Sequence, residues 1–262
     1  MLPSLFVSHG SPMLILSDTP ARHFLAGYGH ELPRPDAIVI VSAHYETRRP
    51  AVLGVAAPPM IYDFGGFDPK LRQIVYPAPG DPALAERVAG LLADADLPAT
   101  VDTRWGYDHG TWVPLALMYP DADIPVVVVS VQPHEDARHH FELGRALAPL
   151  RTDNILVVGS GSLTHNLGAI RTQLGRNPVE ADAPEWVVAF ADWMNAKIAE
   201  GDVEALLDYR AQAPYAAENH PTDEHLMPLY AALGAAGATG QGRRVHTSHE
   251  YGALMMDTYA FG

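Results

Sequence analysis

The chain has 262 residues, 17 Lys+Arg against 31 Asp+Glu for a formal charge of −14, 13 histidines and no cysteine. The missing cysteine excludes disulfide frameworks, thiolate zinc sites, iron–sulfur clusters and cysteine nucleophiles, and the acidic balance argues against a nucleic-acid binder, which needs a basic footprint. A composition 48% hydrophobic and 18% charged is that of a folded globular chain.

Short runs rich in Val and Ile mark strands at Leu5–Val7, Ala37–Val41, Ala51–Val55, Val126–Val131 and Ile155–Val158. They do not alternate with polar residues, which is the pattern of strands covered on both faces. Between and after them the apolar spacing predicts helices over Pro82–Ala95, Ala137–Leu150, Pro184–Ala199 and Thr222–Ala236. Asp81-Pro82 is a start signal, with Asp as N-cap and Pro in the first turn. Thr222-Asp-Glu reads as a similar start, and Glu200-Gly201 as a helix end. Strands alternating with helices predict an α/β fold: a mainly parallel central sheet with helices on both faces, in three layers. A length near 250 residues is compatible with a single domain over residues 1–262. Pro58–Pro79, dense in Pro, Gly and aromatics, is too long for an ordinary connection and reads as a functional loop or lid. Gly234–Gly242 reads as a surface turn. No apolar run approaches the roughly 18 residues of a membrane helix, and Met1-Leu-Pro-Ser lacks the basic start of a signal peptide. Neither a membrane nor nucleic acid is expected as a partner, and a cytoplasmic protein is expected.

The positions of the histidines say more than their number. Ligands of open parallel sheets bind beyond the carboxyl ends of the strands. Three predicted strands each deliver a histidine there: His9 in Ser8-His-Gly-Ser-Pro12, His44 after Val41-Ser-Ala, and His165 after Gly159-Ser-Gly-Ser-Leu-Thr. A lone histidine is more often a satisfied structural or surface residue, but three at one edge point to a site. Gly10, Gly159 and Gly161 are read as keeping these turns open for a ligand. His225 lies in the first turn of the predicted Thr222 helix. His109 lies in Trp105-Gly-Tyr-Asp-His-Gly-Thr-Trp112, whose glycines and aromatics suit a substrate pocket. Neutral imidazole suits zinc, iron and copper. Asp108 or Glu224 is placed to orient a ligand's second ring nitrogen, and Glu46 would share the face of His44 if the strand continued. His134, His139 and His140 are expected to face water, His23, His30, His246 and His249 are assigned no task, and His220 is left open. Gly159-Ser-Gly-Ser162 is not a nucleophile elbow and reads as a tight turn.

Ser8–Pro12, Val41–His44, Tyr62-Asp-Phe-Gly-Gly-Phe67, Tyr76-Pro-Ala-Pro-Gly80, Trp105–Gly110, Tyr119–Pro125, Thr164-His-Asn-Leu167 and Pro221-Thr-Asp-Glu-His225 together carry a resemblance. In them the chain resembles the class III extradiol ring-cleavage dioxygenases, in the branch similar to 4,5-DOPA extradiol dioxygenase, from about residue 3 to Phe261-Gly262. The resemblance implies one divalent non-haem metal held by His9, His44 and His225, with Fe(II) for activity and Zn(II) as the other metal such a site holds. His165 matches a position that serves as a further ligand or as the active-site base, and His109 matches a pocket histidine near the substrate. The implied reaction opens a catechol-type ring with O2 beside its diol, with Tyr62–Phe67 covering the substrate. Two other classes fit the same residues: a zinc hydrolase using metal-bound water, and a non-catalytic binding protein on this fold.

Overall fold

The structure, a computed structural model, describes every residue except 174–178, 180 and 238–239. The chain begins with β1 (Ser4–Ser8), α1 (Pro20–Glu31), β2 (Ala37–Glu46), β3 (Ala51–Leu53), α2 (Pro82–Asp94), β4 (Thr100–Asp102) and α3 (His109–Met118). It continues through β5 (Val126–Val131), α4 (Ala137–Leu147), β6 (Ile155–Gly161), α5 (Leu167–Gln173) and α6 (Glu185–Glu200). Three short helices follow, α7 (Val203–Leu207), α8 (Tyr209–Gln212) and α9 (Ala216–Asn219), then α10 (Met227–Ala235). β7 (Gly242–His246), the small hairpin β8 (His249–Glu250) and β9 (Leu254–Met255), and β10 (Thr258–Phe261) complete it.

Eight strands form one mixed sheet in the order β4-β3-β5-β2-β6-β1-β10-β7. The centre is parallel, β5-β2-β6-β1, while β3 on β5 and β10 between β1 and β7 run antiparallel. Successive strand residues feed opposite cores. Val39, Val41, Val127, Val129 and Val157 enter one cluster, with residues of α2, α4, α6 and α10. Ile38, Ile40, Val126, Val128, Leu156 and Val158 enter the other, with residues of α1 and α3. Both faces of the central strands are therefore covered, as their unbroken apolar runs predict.

Several boundaries differ from the sequence reading for physical reasons. β6 runs through Gly161, so Gly159-Ser-Gly is strand and not a turn. A Cβ on Gly159 would lie 1.9 Å from the Pro228 carbonyl oxygen, and one on Gly161 2.1 Å from that of His225. These glycines admit the backbone at the start of α10, not a ligand. α10 begins at Met227 rather than at Thr222. Pro228, whose missing N–H costs nothing in a first turn, is the effective start signal, and His225 sits in the turn before it. Gly234 is inside α10, packed on the Phe141 carbonyl, so it is no surface turn; positions 238 and 239 of that predicted turn lie outside the described residues. His140 is fully buried rather than in water. It falls on the stripe Ala137-His140-Leu143-Gly144-Leu147 by which α4 meets the sheet. Its Nδ1–H donates to the Asp136 carbonyl at 2.8 Å, and its Nε2 accepts from the Gln132 N–H at 3.0 Å. His134 is exposed and His139 half-buried.

Two measurements check this packing. Gly159→Ala is expected to destabilise by about 1–3 kcal/mol in urea unfolding, the cost of overpacking against rigid backbone; Gly90→Ala, where nothing lies within 4 Å, is expected to stabilise slightly. Stability is also expected to fall on acidification. Burial lowers His140 to about 4 and His220 to about 3, whereas the unfolded chain protonates its histidines near 6.5. Between those values the unfolded state binds more protons, so the melting temperature drops as pH falls from about 6.5 towards 4.

Candidate metal centre

Two central strands and the turn before α10 bring three imidazoles to one point. His9 follows β1, and its backbone N–H is held by the Gly161 carbonyl at 2.9 Å. His44 lies in β2 where the pairing with β5 slips between Ser42 and Glu46, a bulge of the kind that re-aims a side chain. Glu46, two residues on, is exposed and belongs to none of the candidate ligand groups among the described residues. His225 arrives from the turn before α10, anchored by the Ser162 N–H on its carbonyl at 2.8 Å.

Their Nε2 atoms converge: His44 is 3.1 Å from His9 and 3.3 Å from His225. Each Nδ1 faces an acceptor instead: Ser160 Oγ at 3.0 Å for His9, Asp63 Oδ2 at 3.3 Å for His44 and Glu224 Oε1 at 2.9 Å for His225. Those partners keep the proton on Nδ1 and leave a lone pair on each Nε2. Burial, followed by the neighbouring histidines, pushes His9 and His225 far below the ordinary histidine range. Burial and His109 bring His44 down to about 3 against the opposing pull of Asp63. Three neutral rings thus point lone pairs at one another, an arrangement that repels itself unless a cation lies between. Nitrogens about 2.1 Å from a tetrahedral or octahedral ion would stand about 3.0–3.4 Å apart, so this donor set fits a first-row divalent metal.

Two further histidines border the cluster. The His165 ring stacks on His225, centroids 3.5 Å apart and 15° from parallel, with Nδ1 3.8 Å from Glu224 Oε1. Burial first, with help from His109, lowers it to about 4 although Glu224 opposes this. His109 opens α3 beneath its N-cap Asp108, and its ring centroid is 3.9 Å from that of His44. Its Nδ1 pairs with Asp63 Oδ1 at 2.9 Å, and its backbone N–H donates to the same oxygen at 3.1 Å. Burial disfavours the Asp63 carboxylate, but His109 and His44 outweigh it and hold its pKa below the usual range.

Asp63, at the Nδ1 of His44 and His109, and Ser160, at that of His9, are candidate site residues that the sequence reading missed. Asp63 is the sole carboxylate within Tyr62–Phe67, and that was the available signal. Glu224 orients a ring as expected. Asp108 does not: it accepts from Ser42 Oγ, Thr111 N–H and Trp105 Nε1 and belongs to the helix cap. Of the Trp105–Trp112 motif only His109 lines the cavity, while Tyr107 and Trp112 are core. His220, fully buried, donates from Nε2 to the Leu163 carbonyl at 2.8 Å and stays outside the cluster.

The histidines open into a cavity of about 760 Å³ between the turn after β1, the 63–68 loop, α5 and the β8–β9 hairpin. No helix among the described residues is long and apolar enough to cross a membrane. Asp63→Ala, which frees the Nδ1 of both His44 and His109, is expected to weaken divalent-metal affinity about 10- to 100-fold by calorimetric titration.

Known proteins resemble this chain over nearly its whole length. The sequence profile of the catalytic LigB subunit of aromatic ring-opening dioxygenase matches residues 3–262. The chain is 40% identical over 262 residues to a Beta vulgaris protein named 4,5-DOPA dioxygenase extradiol, covering 98% of this chain and 96% of that one. It is 43% identical over 238 residues to the Escherichia coli (strain K12) protein of the same name, covering 89% and 85%. A crystal structure of an Escherichia coli K12 protein superposes with a TM-score of 0.82 at 37% identity, over 100% of both chains.

Proposed function

This chain belongs to the family of the catalytic LigB subunit of aromatic ring-opening dioxygenase and is an extradiol dioxygenase of catechol-type substrates; we propose that its metal is ferrous iron held by His9, His44 and His225. The observation that carries the ligand set is the convergence of three Nε2 lone pairs at the floor of a largely apolar cavity. Bound there, the metal supplies Lewis acidity towards the diol and a route for electrons from diol to dioxygen.

The remaining residues manage protons and water. His165 lines the cavity, and its Nε2 makes no hydrogen bond within the described residues, so it is assigned as the base that takes a catechol hydroxyl proton and later returns it. Its stacking on His225 fixes the ring without using its nitrogens. His109, its Nδ1–H held by Asp63, offers Nε2 to the substrate hydroxyl or to dioxygen. Phe64 and Phe67 cover the ring and exclude water. Both atoms of O2 enter the product, a muconic semialdehyde. We assign these roles to one catalytic domain spanning residues 1–262, working in the cytoplasm on a small aromatic and O2, with neither nucleic acid nor membrane as partner; the charge of −14 supports the exclusion of nucleic acid.

The test is anaerobic reconstitution with Fe(II), followed by oxygen and a panel of catechols. A yellow ring-opened product with matching oxygen uptake is expected. Silence across the panel with iron bound, or equal activity without oxygen, would sink this reading. His165→Ala is expected to keep the metal and lose at least about 100-fold in kcat, whereas His9→Ala and His44→Ala are expected to lose the metal by elemental analysis. Loss of metal from His165→Ala would make His165 a ligand.

A further inference from the structure

Residues 220–226 lie between α9 and α10 and belong to neither helix, yet they carry Glu224 and His225. On its inner side this stretch is tied to the chain that follows β6. The Asn219 carbonyl accepts the His165 N–H at 3.0 Å, His220 Nε2 donates to the Leu163 carbonyl at 2.8 Å, and the His225 carbonyl accepts the Ser162 N–H at 2.8 Å. The third ligand and the base thus hang on one pair of facing segments. Glu224 joins their rings, its Oε1 2.9 Å from Nδ1 of His225 and 3.8 Å from that of His165.

On the outer side Arg210, in α8, grips the same stretch. One guanidinium nitrogen donates to the His220 carbonyl at 2.7 Å and the other to Asp223 Oδ1. The Tyr209 hydroxyl donates to that carboxylate oxygen as well, at 2.8 Å, and its ring, part of the core, lies 5.7 Å from the Arg210 guanidinium. The Asp223 carbonyl in turn accepts the Leu226 N–H at 2.9 Å, closing a turn around Glu224 and His225. A rigid planar fork holds both ends of 220–223 at once, where an ammonium group could hold only one. With side chains 37% and 30% exposed, the Arg210–Asp223 pair adds little to overall stability. Its effect is on local geometry.

We infer that Arg210 is a positioning residue of the metal centre: by clamping the 220–223 turn from outside, it sets where Glu224 and His225 stand relative to His165. The inference rests on the ligand set and the base proposed above and adds a residue that touches neither metal nor substrate.

The test reads the site apart from the fold. The metal-free protein and its variants are titrated with Co(II) in a calorimeter, the visible bands of bound Co(II) are recorded, and melting is followed separately. Arg210→Ala is expected to bind Co(II) about tenfold more weakly and with shifted bands, while its melting temperature stays within a few degrees of the unaltered protein. Arg210→Lys is expected to recover part of the affinity. Arg138→Ala, which severs the exposed pair with Glu204, is expected to change neither affinity nor bands. Saturated with Fe(II), Arg210→Ala is expected to lose about tenfold in kcat with KM moved less than about twofold. Unchanged Co(II) affinity and bands in Arg210→Ala, full recovery by Arg210→Lys, an equal loss in Arg138→Ala, or unchanged kcat at saturating metal would each overturn the inference. If Arg210→Ala does not fold, Arg210→Lys decides alone, being expected to bind Co(II) more weakly than the unaltered protein. The Co(II) readouts need no ring opening, so a protein that shows them but opens no catechol would lose the dioxygenase reading and keep Arg210 in this role.

Discussion

The site depends on one close approach, that of the chain before α10 to the end of β6. Two glycines with no side chain to interpose, Gly159 and Gly161, let the Pro228 and His225 carbonyls settle against the strand. The Ser162 N–H then fastens the His225 carbonyl. β6 lies between β1 and β2, which carry His9 and His44. A chain held against its end is therefore within reach of both, and Ser160, between the glycines, turns its hydroxyl to the Nδ1 of His9. A methyl group at either glycine would move His225 away by more than a metal site tolerates, since first-row ions hold their distances within a few tenths of an ångström.

Electrostatics then divides the labour. The whole chain is strongly acidic, yet the carboxylates nearest the centre are spoken for: Asp63 by His44 and His109, Glu224 by His225. They act on the protons of Nδ1 and so set the availability of Nε2, without adding charge to the ligand set itself. Desolvation does the rest, since a protonated imidazole in this position would be costly. The ligand nitrogens are free of protons at neutral pH because of where the rings lie, before any ion is considered.

Much of this was legible in the sequence. The central strands announced themselves by Val/Ile runs, Asp81-Pro82 and Gly201 bounded their helices as expected, and His9 and His44 could be read as strand-end residues. Helices α1 and α3 were not read from the sequence at all, and two further kinds of feature escaped. Short edge elements such as β4 and β7 carry few residues and mixed polarity, so no periodicity marks them. Long-range approach is also invisible locally: Gly159 and Gly161 look like a turn until the backbone that they admit is known, and His140 looks like a solvent residue until α4 is laid on the sheet. Asp63 belongs to the second kind, because its two partners are far off in the chain and meet it only through the fold.

Asp63 has one more consequence. It lies on the same stretch as Phe64 and Phe67, which wall the cavity, and Gly65 and Gly66 beside it have no neighbour within 4 Å of where a side chain would begin. Roof and wiring are thus one piece of chain. If that stretch lifts to admit a ligand or release a product, the carboxylate leaves both rings with it, and their Nδ1 protons lose the acceptor that fixes them. The Nδ1 protons of His44 and His109 are thereby tied to the position of the cavity wall.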